Sequence, residues 1–366
     1  MLSKRRASVV IWYCTTRCNY LCRHCWGYEH QDLKELDTKR AQSLIKSVAE
    51  LNPKSFVFSG GEPLLKDVFS GGEPLLREDI IDLIKFTKDC GINLAVDIRT
   101  APLDEELILA LARNEVHASI TMDSVSPEIT DYICGFKDAH QRLMQTIELC
   151  RNHGIEFGFN TAAHKLNFEE VPKITKLAED LGATTHNISM LAPLGKAFKA
   201  YKLMSLDSSQ FIKCLGDIYQ EEQRQRSCKV VVYEPIYLRF VKEAGGVLPK
   251  WGRVCKIGKY IHIDTDGGVL PCARARAPFG NALEKPLLEI YEDMASSTFF
   301  NTLRDHRRLE GPCASCIYGD LCGGCRMRAL ALTGDWFASD PACPYINEHG
   351  RRGGSIEEGD DLHEPE

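Results

Sequence analysis

Three cysteines near the start of the chain have the spacing of a metal or cluster site. Cys18, Cys22 and Cys25 form a Cys-x3-Cys-x2-Cys triplet directly after the apolar run 9–13. Three thiolates on one loop can hold three corners of a cubane iron–sulfur cluster and leave the fourth iron open to a small molecule. A structural zinc site needs a fourth ligand at matching spacing. The alternatives are a zinc knuckle or thiols that are close only by chance, and the surrounding sequence must decide between them.

The composition is that of a globular chain with no electrostatic bias toward a polyanion. Of its 366 residues, 44% are hydrophobic and 26% are charged, which is enough to bury a sizeable core in two domains. The net charge of −6 gives no reason to expect nucleic acid or an anionic membrane surface as a partner. No segment reads as a membrane span or a cleavable signal peptide, so we expect a cytoplasmic protein.

Cysteine is abundant, with 16 residues in the chain. Given the chain length and the absence of a secretory signal, the sequence indicates reduced thiols and metal binding, not a disulfide scaffold. Ten cysteines fall into the N-terminal triplet and a C-terminal set of seven. The other six lie in apolar patterns and are expected to be ordinary buried thiols: Cys14, Cys90, Cys134, Cys150, Cys214 and Cys228.

Strands and helices alternate along the first two thirds of the chain. The patterns predict strands over 9–13, 55–59, 93–98, 117–122, 156–161 and 185–190. They predict helices over 37–51, 78–90, 104–114, 139–153, 168–181 and 207–224. Such alternation is typical of βαβ units with a parallel sheet. Six units are too few for a closed eight-stranded barrel, whose ligands lie at the carboxyl ends of the strands.

The C-terminal third carries the second group of cysteines: Cys255, Cys272, Cys313, Cys316, Cys322, Cys325 and Cys343. Segments 260–264 and 268–270 flank an Asp-Gly turn and predict a hairpin. The two Cys-x2-Cys pairs also have the spacing of zinc ribbons. The change in composition predicts domains over 1–235 and 236–347, followed by an acidic, disordered tail over 348–366.

The cysteine triplet after the first strand, followed by Ser59-Gly60-Gly61-Glu62-Pro63 after the second, resembles the radical S-adenosylmethionine (SAM) superfamily. The seven C-terminal cysteines resemble the SPASM extension of that family. The resemblance implies an α/β fold, a partial (β/α)6 TIM-type barrel followed by a small cysteine-rich auxiliary-cluster domain. It implies SAM bound to a 4Fe–4S cluster, and one or two auxiliary iron–sulfur clusters that bind substrate or accept an electron. An external reductant such as flavodoxin or ferredoxin would drive cleavage of SAM to a 5′-deoxyadenosyl radical, which abstracts a substrate hydrogen.

The same resemblance assigns roles to individual residues. It implies that the triplet holds the SAM cluster, that Gly60, Gly61 and Glu62 bind the amino group of SAM, and that His24 flanks the adenine. Ser124 is a candidate for the ribose hydroxyls, with Asp123 beside it, although Ser124 could equally be a helix N-cap. Asn160 lies where the family contacts SAM. By analogy the outer auxiliary cluster takes Cys313, Cys316, Cys322 and Cys343, and the inner one takes Cys255, Cys272 and Cys325, one cysteine short of a full set.

The chain departs from the family in one place, because segment 57–67 is repeated almost unchanged as segment 68–78. Two glutamates, Glu62 and Glu73, therefore compete for the position at the end of the second strand. The first copy is preceded by the more typical strand pattern. The second copy is followed by the usual connection to the next predicted helix. We expect Glu62 to bind SAM, with Glu73 as the alternative.

The substrate is indicated by the segment 319–345, which looks most like the branch of the family that modifies tetrapyrroles, including the archaeal heme and heme-d-type enzymes. The expected reaction is loss or oxidation of a propionate or acetate side chain of a modified tetrapyrrole in heme biosynthesis. One alternative is a radical maturase of a peptide or protein. A second is a non-catalytic iron–sulfur or zinc scaffold, which would bind iron without cleaving SAM.

Overall fold

The computed structural model describes residues 8–18, 20–25, 34–60, 74–99, 105–224, 226–249, 255–273, 275 and 278–346. The strands are β1 Val9–Thr15, β2 Ser55–Gly60, β3 Leu94–Ile98, β4 His117–Thr121, β5 Phe157–Ala163, β6 Thr185–Met190, β7 Lys229–Val232, β8 Ile261–Ile263, β9 Gly268–Leu270 and β10 Gly280–Asn281. The helices are α1 Thr38–Leu51, α2 Ile80–Asp89, α3 Glu105–Arg113, α4 Pro127–Cys134, α5 Ala139–Asn152, α6 Val171–Leu181, α7 Lys196–Met204, α8 Ser208–Gln223, α9 Pro235–Glu243, α10 Leu287–Ser296, α11 Thr298–Arg304 and α12 Arg326–Thr333.

The strands form a single open sheet in the order β10-β9-β8-β1-β2-β3-β4-β5-β6-β7. Strands β1 to β7 are parallel to their neighbours, and β8 is parallel to β1. The hairpin of β8 and β9 is antiparallel, as the Asp-Gly turn predicted. The expected partial barrel is confirmed, and it is not closed, because β7 and β10 are the two edges of the sheet.

The core lies between the sheet and the helices that cross its outer face. On β2, Phe56 and Phe58 are fully buried and point outward, whereas Val57 between them is only partly buried. Trp12 of β1 meets Phe58 edge to face, with ring centroids 5.4 Å apart. The apolar stripe of α1, which includes Leu44, packs into the same core. This alternation leaves the other face of each strand free to line the inside of the barrel.

Most predicted elements agree with the structure to within one or two residues, and the differences have local causes. The helix predicted over 168–181 begins as a 3₁₀ turn, and α6 proper starts at Val171, where Pro172 favours a helix start. Helix α4 was not predicted, although Ser126 caps it by accepting a hydrogen bond from the Ile129 amide. Strand β7 was also missed, because its four residues follow directly on a long helix. Within the described ranges, none of the helices has both the length and the apolar character needed to cross a bilayer.

Candidate functional site

The cysteine triplet lies on the loop that leaves β1 at the carboxyl edge of the sheet. Three backbone hydrogen bonds attach this loop to the end of α4 and the start of α7: Leu21 N to Cys134 O at 3.1 Å, Arg23 N to Ile133 O at 2.9 Å and Ala197 N to Cys25 O at 2.9 Å. The loop is therefore positioned by helices that follow β4 and β6, on the opposite side of the barrel from its own helix α1.

The thiol of Cys22 has a strongly perturbed pKa. The Arg99 Nη1 donates to Cys22 Sγ at 2.8 Å and lies 3.7 Å from Cys134 Sγ. A hydrogen bond from the Cys134 thiol lowers the pKa of Cys22 to about 5; burial opposes this, and the Arg99 charge adds to it. The same hydrogen bond and burial raise the pKa of Cys134. These contacts favour the thiolate of Cys22, which is the form that binds metal.

Arg99 and Cys134 are site residues that sequence reasoning missed. Cys134 was expected to be an ordinary buried thiol, but the fold brings it against Cys22 across more than a hundred residues of chain. Arg99 follows directly on β3, and polar residues at strand ends of a parallel sheet were the available signal. That position alone could not show which group the guanidinium contacts.

Asp123 is the central acceptor at this edge of the sheet. Its carboxylate lies 3.0 Å from His24 Nε2 and accepts a hydrogen bond from Arg99. It also accepts from the Ala162 amide at 3.0 Å. Burial acts to raise the pKa of Asp123, but His24 and Arg99 outweigh it and hold that pKa far below its usual range. Asp123 is therefore a permanent anion that fixes His24 on the cysteine loop.

Two buried imidazole nitrogens beside the loop have no hydrogen-bond partner among the described residues, so the site can accommodate a polar ligand such as SAM. The rings of His24 and His164 lie 5.5 Å apart, and the unpartnered atoms are His24 Nδ1 and His164 Nε2. His164 Nδ1 accepts from the Leu166 amide at 3.2 Å, so Nε2 is left as the donor of the neutral ring. Burial lowers the pKa of His164 to about 3. The unused donor of His164 and the unused ring nitrogen of His24 fit a ligand that carries polar groups.

The inner face of the barrel carries a continuous polar row across five neighbouring strands. Asn187 donates to Asn160 Oδ1 at 2.9 Å, and Asn160 donates to Ser119 Oγ at 2.5 Å. Burial raises the pKa of Asp97, partly offset by hydrogen bonds from Ser59 and Ser119. Asn160, predicted to contact SAM, is thus the middle of a row that lines the barrel below the carboxyl edge.

Ser124, the ribose candidate, is fully buried after β4. Its hydroxyl donates to Glu170 at 2.5 Å and accepts from the Ser126 amide. The helix N-cap is Ser126, so the alternative role considered for Ser124 belongs to its neighbour.

The duplicated loop is described at both of its ends. Gly60 is the last residue of β2 and pairs with Thr15 of β1. Gly61, Glu62 and Glu73 lie outside the described residues, as does the tail predicted over 348–366. After the second copy, buried Arg77 donates to the carbonyl of Cys14 at 2.8 Å and to that of Leu36.

The C-terminal cysteines divide between two parts of the core. Cys255, Cys272 and Cys325 pack against the main core between sheet and helices. Cys322 and Cys343 pack against a second core that includes α9. The resemblance placed the first three cysteines in the inner set and the last two in the outer set, and this assignment stays a prediction.

Electrostatic interactions connect the cysteines of the outer set. Burial raises the pKa of Cys343 to about 12, and the nearby Cys313 thiol adds to this effect. Cys322 interacts with Cys343 in the same way. The guanidinium of Arg239 interacts with both Cys343 and Cys316. These interactions link Cys343 to Cys313 and Cys322, and Arg239 links Cys343 to Cys316.

A buried ion cluster joins the C-terminal segment to the barrel. Arg328 donates to both carboxylate oxygens of Glu234, at 3.0 and 3.1 Å. It donates to both oxygens of Asp340 as well, at 2.8 and 2.7 Å. Asp340 in turn accepts from the Cys325 amide at 2.7 Å, and its carbonyl accepts from the Cys343 amide at 3.0 Å. One cysteine from each set is thus held by the same carboxylate residue.

The side chain of Arg326 shows whether an anionic group fits beside the C-terminal cysteines. It is buried, and its Nη1 donates to two carbonyls in segment 336–338. Within the described part of the chain, its Nε and Nη2 have no hydrogen-bond partner. A Cβ added to Gly324 would lie 2.9 Å from Nη2, and the Gly324 amide donates to Cys322 Sγ at 3.3 Å. Two unused donors beside the cysteines fit an iron–sulfur cluster, whose sulfurs accept hydrogen bonds.

No three Cys, His, Asp or Glu side chains among the described residues are arranged to hold a metal ion. A four-iron cluster binds each thiolate at a different iron, so its ligands do not need to converge on one point.

Comparison with known proteins defines the class. Residues 12–178 match the family model described as the radical SAM superfamily. Residues 255–317 match the SPASM model, an iron–sulfur cluster-binding domain. The chain therefore contains a radical SAM domain followed by a SPASM domain. The first domain implies a 4Fe–4S cluster with SAM, and the second implies auxiliary clusters.

Curated relatives of two kinds span nearly the whole chain. The AdoMet-dependent heme synthase of Methanosarcina barkeri is 29% identical over 349 residues, covering 92% of this chain and 96% of the relative. The PqqA peptide cyclase of Bradyrhizobium diazoefficiens is 28% identical over 366 residues, covering 95% of this chain and 91% of the relative.

Solved structures share the fold. SuiB of Streptococcus suis bound to its precursor peptide SuiA superposes with a TM-score of 0.72 at 14% identity, covering 93% of this chain and 76% of that one. The enzyme anSMEcpe with bound AdoMet gives a TM-score of 0.69 at 18% identity, covering 94% of this chain and 96% of that one.

The ion cluster at Arg328 yields a stability prediction. Replacing Arg328 with Met leaves the buried carboxylates of Glu234 and Asp340 facing each other without a cation. We expect the free energy of unfolding to fall by about 3–5 kcal/mol, measured by denaturant unfolding under anaerobic conditions. Arg307→Met is the control, because Arg307 pairs with Asp305 at the exposed surface and its loss should not change stability measurably. Equal small effects in the two variants would contradict the prediction.

Proposed function

We propose that this enzyme acts on a modified tetrapyrrole and removes or oxidises a carboxylate-bearing side chain in heme biosynthesis. The observation that carries the proposal is the similarity, over almost the full length of both chains, to relatives named AdoMet-dependent heme synthase. The polar row on the inner face of the barrel supports it, since the amides of Asn160 and Asn187 can donate to a substrate carboxylate.

A peptide substrate is the competing proposal. It is supported by relatives named PqqA peptide cyclase at nearly the same identity. The peptide proposal requires an extended peptide to reach the barrel interior, whereas the tetrapyrrole proposal requires a flat macrocycle to reach it. An assay that shows which of the two substrates is consumed distinguishes the two proposals.

The chain's own residues have defined parts in this proposal. Cys18, Cys22 and Cys25 would hold the cluster, and Gly60, Gly61 and Glu62 would bind the amino group of SAM. When bound, the cluster and SAM supply a 5′-deoxyadenosyl radical that removes a hydrogen atom from the substrate. His24 and His164 would offer their unused ring nitrogens to SAM, and the closely packed barrel wall would exclude water from the reacting atoms.

The C-terminal cysteines would hold auxiliary clusters in the two sets described above. We propose that residues 1–235 bind SAM and substrate and that residues 236–347 form the auxiliary-cluster unit. Flavodoxin or ferredoxin would supply electrons from outside.

The proposed substrate is tested with anaerobically reconstituted protein, SAM and dithionite. A tetrapyrrole with propionate side chains is offered in one reaction and a candidate precursor peptide in another. We expect 5′-deoxyadenosine to form in step with a tetrapyrrole product that has lost carbon dioxide and two hydrogens, detected by mass spectrometry. Modification of the peptide with an unchanged tetrapyrrole would overturn the proposal.

The triplet is tested by replacing Cys18, Cys22 and Cys25 together with Ala. Without three thiolates no cluster can bind SAM, so 5′-deoxyadenosine should fall to the background of the reagents, as measured by chromatography. Auxiliary iron should stay bound, because its proposed ligands lie elsewhere. A matched variant, Cys90→Ala, removes a thiol outside both groups and should retain activity. Wild-type amounts of 5′-deoxyadenosine from the triple variant would exclude the assignment.

The two copies of the loop are tested with Glu62→Ala and Glu73→Ala. Gly60 of the first copy ends β2 next to Thr15, so Glu62 follows the strand end directly. Loss of a charge-assisted hydrogen bond costs about 1.5–3 kcal/mol, which weakens binding about tenfold or more. We expect Glu62→Ala to weaken SAM binding by this factor and Glu73→Ala to be nearly silent, measured by equilibrium binding. The reverse order would assign the role to the second copy, and equal partial losses would mean that both copies serve.

A further inference from the structure

Arg99 occupies a position that none of the assigned roles accounts for. It follows β3 directly, and its guanidinium lies between a cysteine sulfur and a carboxylate at the carboxyl edge. On one side, Nη1 donates to Cys22 Sγ at 2.8 Å. On the other, Nη2 donates to the Asp123 carboxylate, which lies 3.0 Å from His24 Nε2. Arg99 therefore binds the cysteine loop directly at Cys22 and indirectly at His24.

This arrangement is mostly withdrawn from water. The side chains of Arg99, Asp123 and His24 are 15%, 2% and 8% exposed. Charges separated by a few ångströms in such an environment interact strongly. Hydrogen bonds to cysteine sulfur and nearby charge are among the factors that set the reduction potential of an iron–sulfur cluster.

We propose that Arg99 is a positioning residue that makes the N-terminal cluster easier to reduce, by donating a hydrogen bond to the Cys22 ligand and placing a cation beside it. Asp123 opposes this effect, because it partly neutralises the guanidinium while orienting it. The two residues therefore set the potential in opposite directions. The inference rests on the proposed role of Cys22 as a cluster ligand and is independent of the substrate.

The test is a redox titration of the reconstituted full-length protein, followed by electron paramagnetic resonance. The N-terminal cluster is identified as the signal that is absent from the Cys18, Cys22 and Cys25 triple variant. In Arg99→Met, the ratio of reduced to oxidised cluster at a fixed potential should fall roughly tenfold or more. In Asp123→Asn, the same ratio should rise. Arg99→Lys retains the charge, so its ratio of reduced to oxidised cluster should lie between those of the wild type and Arg99→Met.

Arg23→Gln is the matched control. Arg23 follows Cys22 on the same loop, but its Nε donates to the Tyr132 carbonyl and its guanidinium lies over the Tyr132 ring. This variant should leave the reduced fraction unchanged.

The proposal is supported if the reduced fraction of the cluster shifts in opposite directions in Arg99→Met and Asp123→Asn. Loosening of the cysteine loop alone would shift the reduced fraction of both variants in the same direction. Shifts of the same sign, or no shift in Arg99→Met, overturn the proposal. If Arg99→Met fails to bind the cluster, Asp123→Asn decides, and an unchanged or lowered reduced fraction there overturns the proposal. Failure of the wild-type protein to convert a tetrapyrrole would concern the proposed substrate and would leave this result standing.

Discussion

The structure depends on the pairing of charges at the edge of the sheet, where burial removes them from water. An unpaired ion in such a position costs several kcal/mol, and in two places buried charges are paired with partners from another element. Arg99 and Asp123 come from neighbouring strand ends and meet the cysteine loop. Arg328 reaches Glu234 and Asp340 in the same way. In both places the ion pair joins a cysteine-bearing segment to the rigid barrel, so the requirement for charge pairing also positions the cysteines.

The C-terminal segment contacts both ends of the parallel row of strands. Strand β8 pairs with β1, between Cys255 and Cys272. Glu234, which Arg328 binds, follows β7 at the other end of the row. The auxiliary cysteines are therefore placed by two contacts that span the open barrel. Strands on both sides of the predicted domain boundary therefore belong to one sheet.

The sequence predicted the features that depend on local spacing. The βα alternation, the triplet after β1 and the Asp-Gly hairpin all follow from periodicity or short motifs, and the structure agrees with each. What could not be predicted depends on contacts between distant residues. Cys134 had the pattern of a core thiol because its neighbours in sequence are apolar, and only the docking of α4 places it against Cys22. No local sequence pattern indicated the role of Arg328, since its partners Glu234 and Asp340 lie 94 and 12 residues away.

The same reasoning explains how the chain accommodates its duplicated segment. The first copy supplies Gly60, which is fixed by its pairing with Thr15. The second copy leads to Arg77, which is fixed by the carbonyls of Cys14 and Leu36. Both anchors are thus tied to β1 and the chain that follows it, and the extra residues fall between them. Doubling the length of a connection costs only about 0.6 kcal/mol in closure entropy. An insertion confined between two fixed points therefore need not disturb the end of β2.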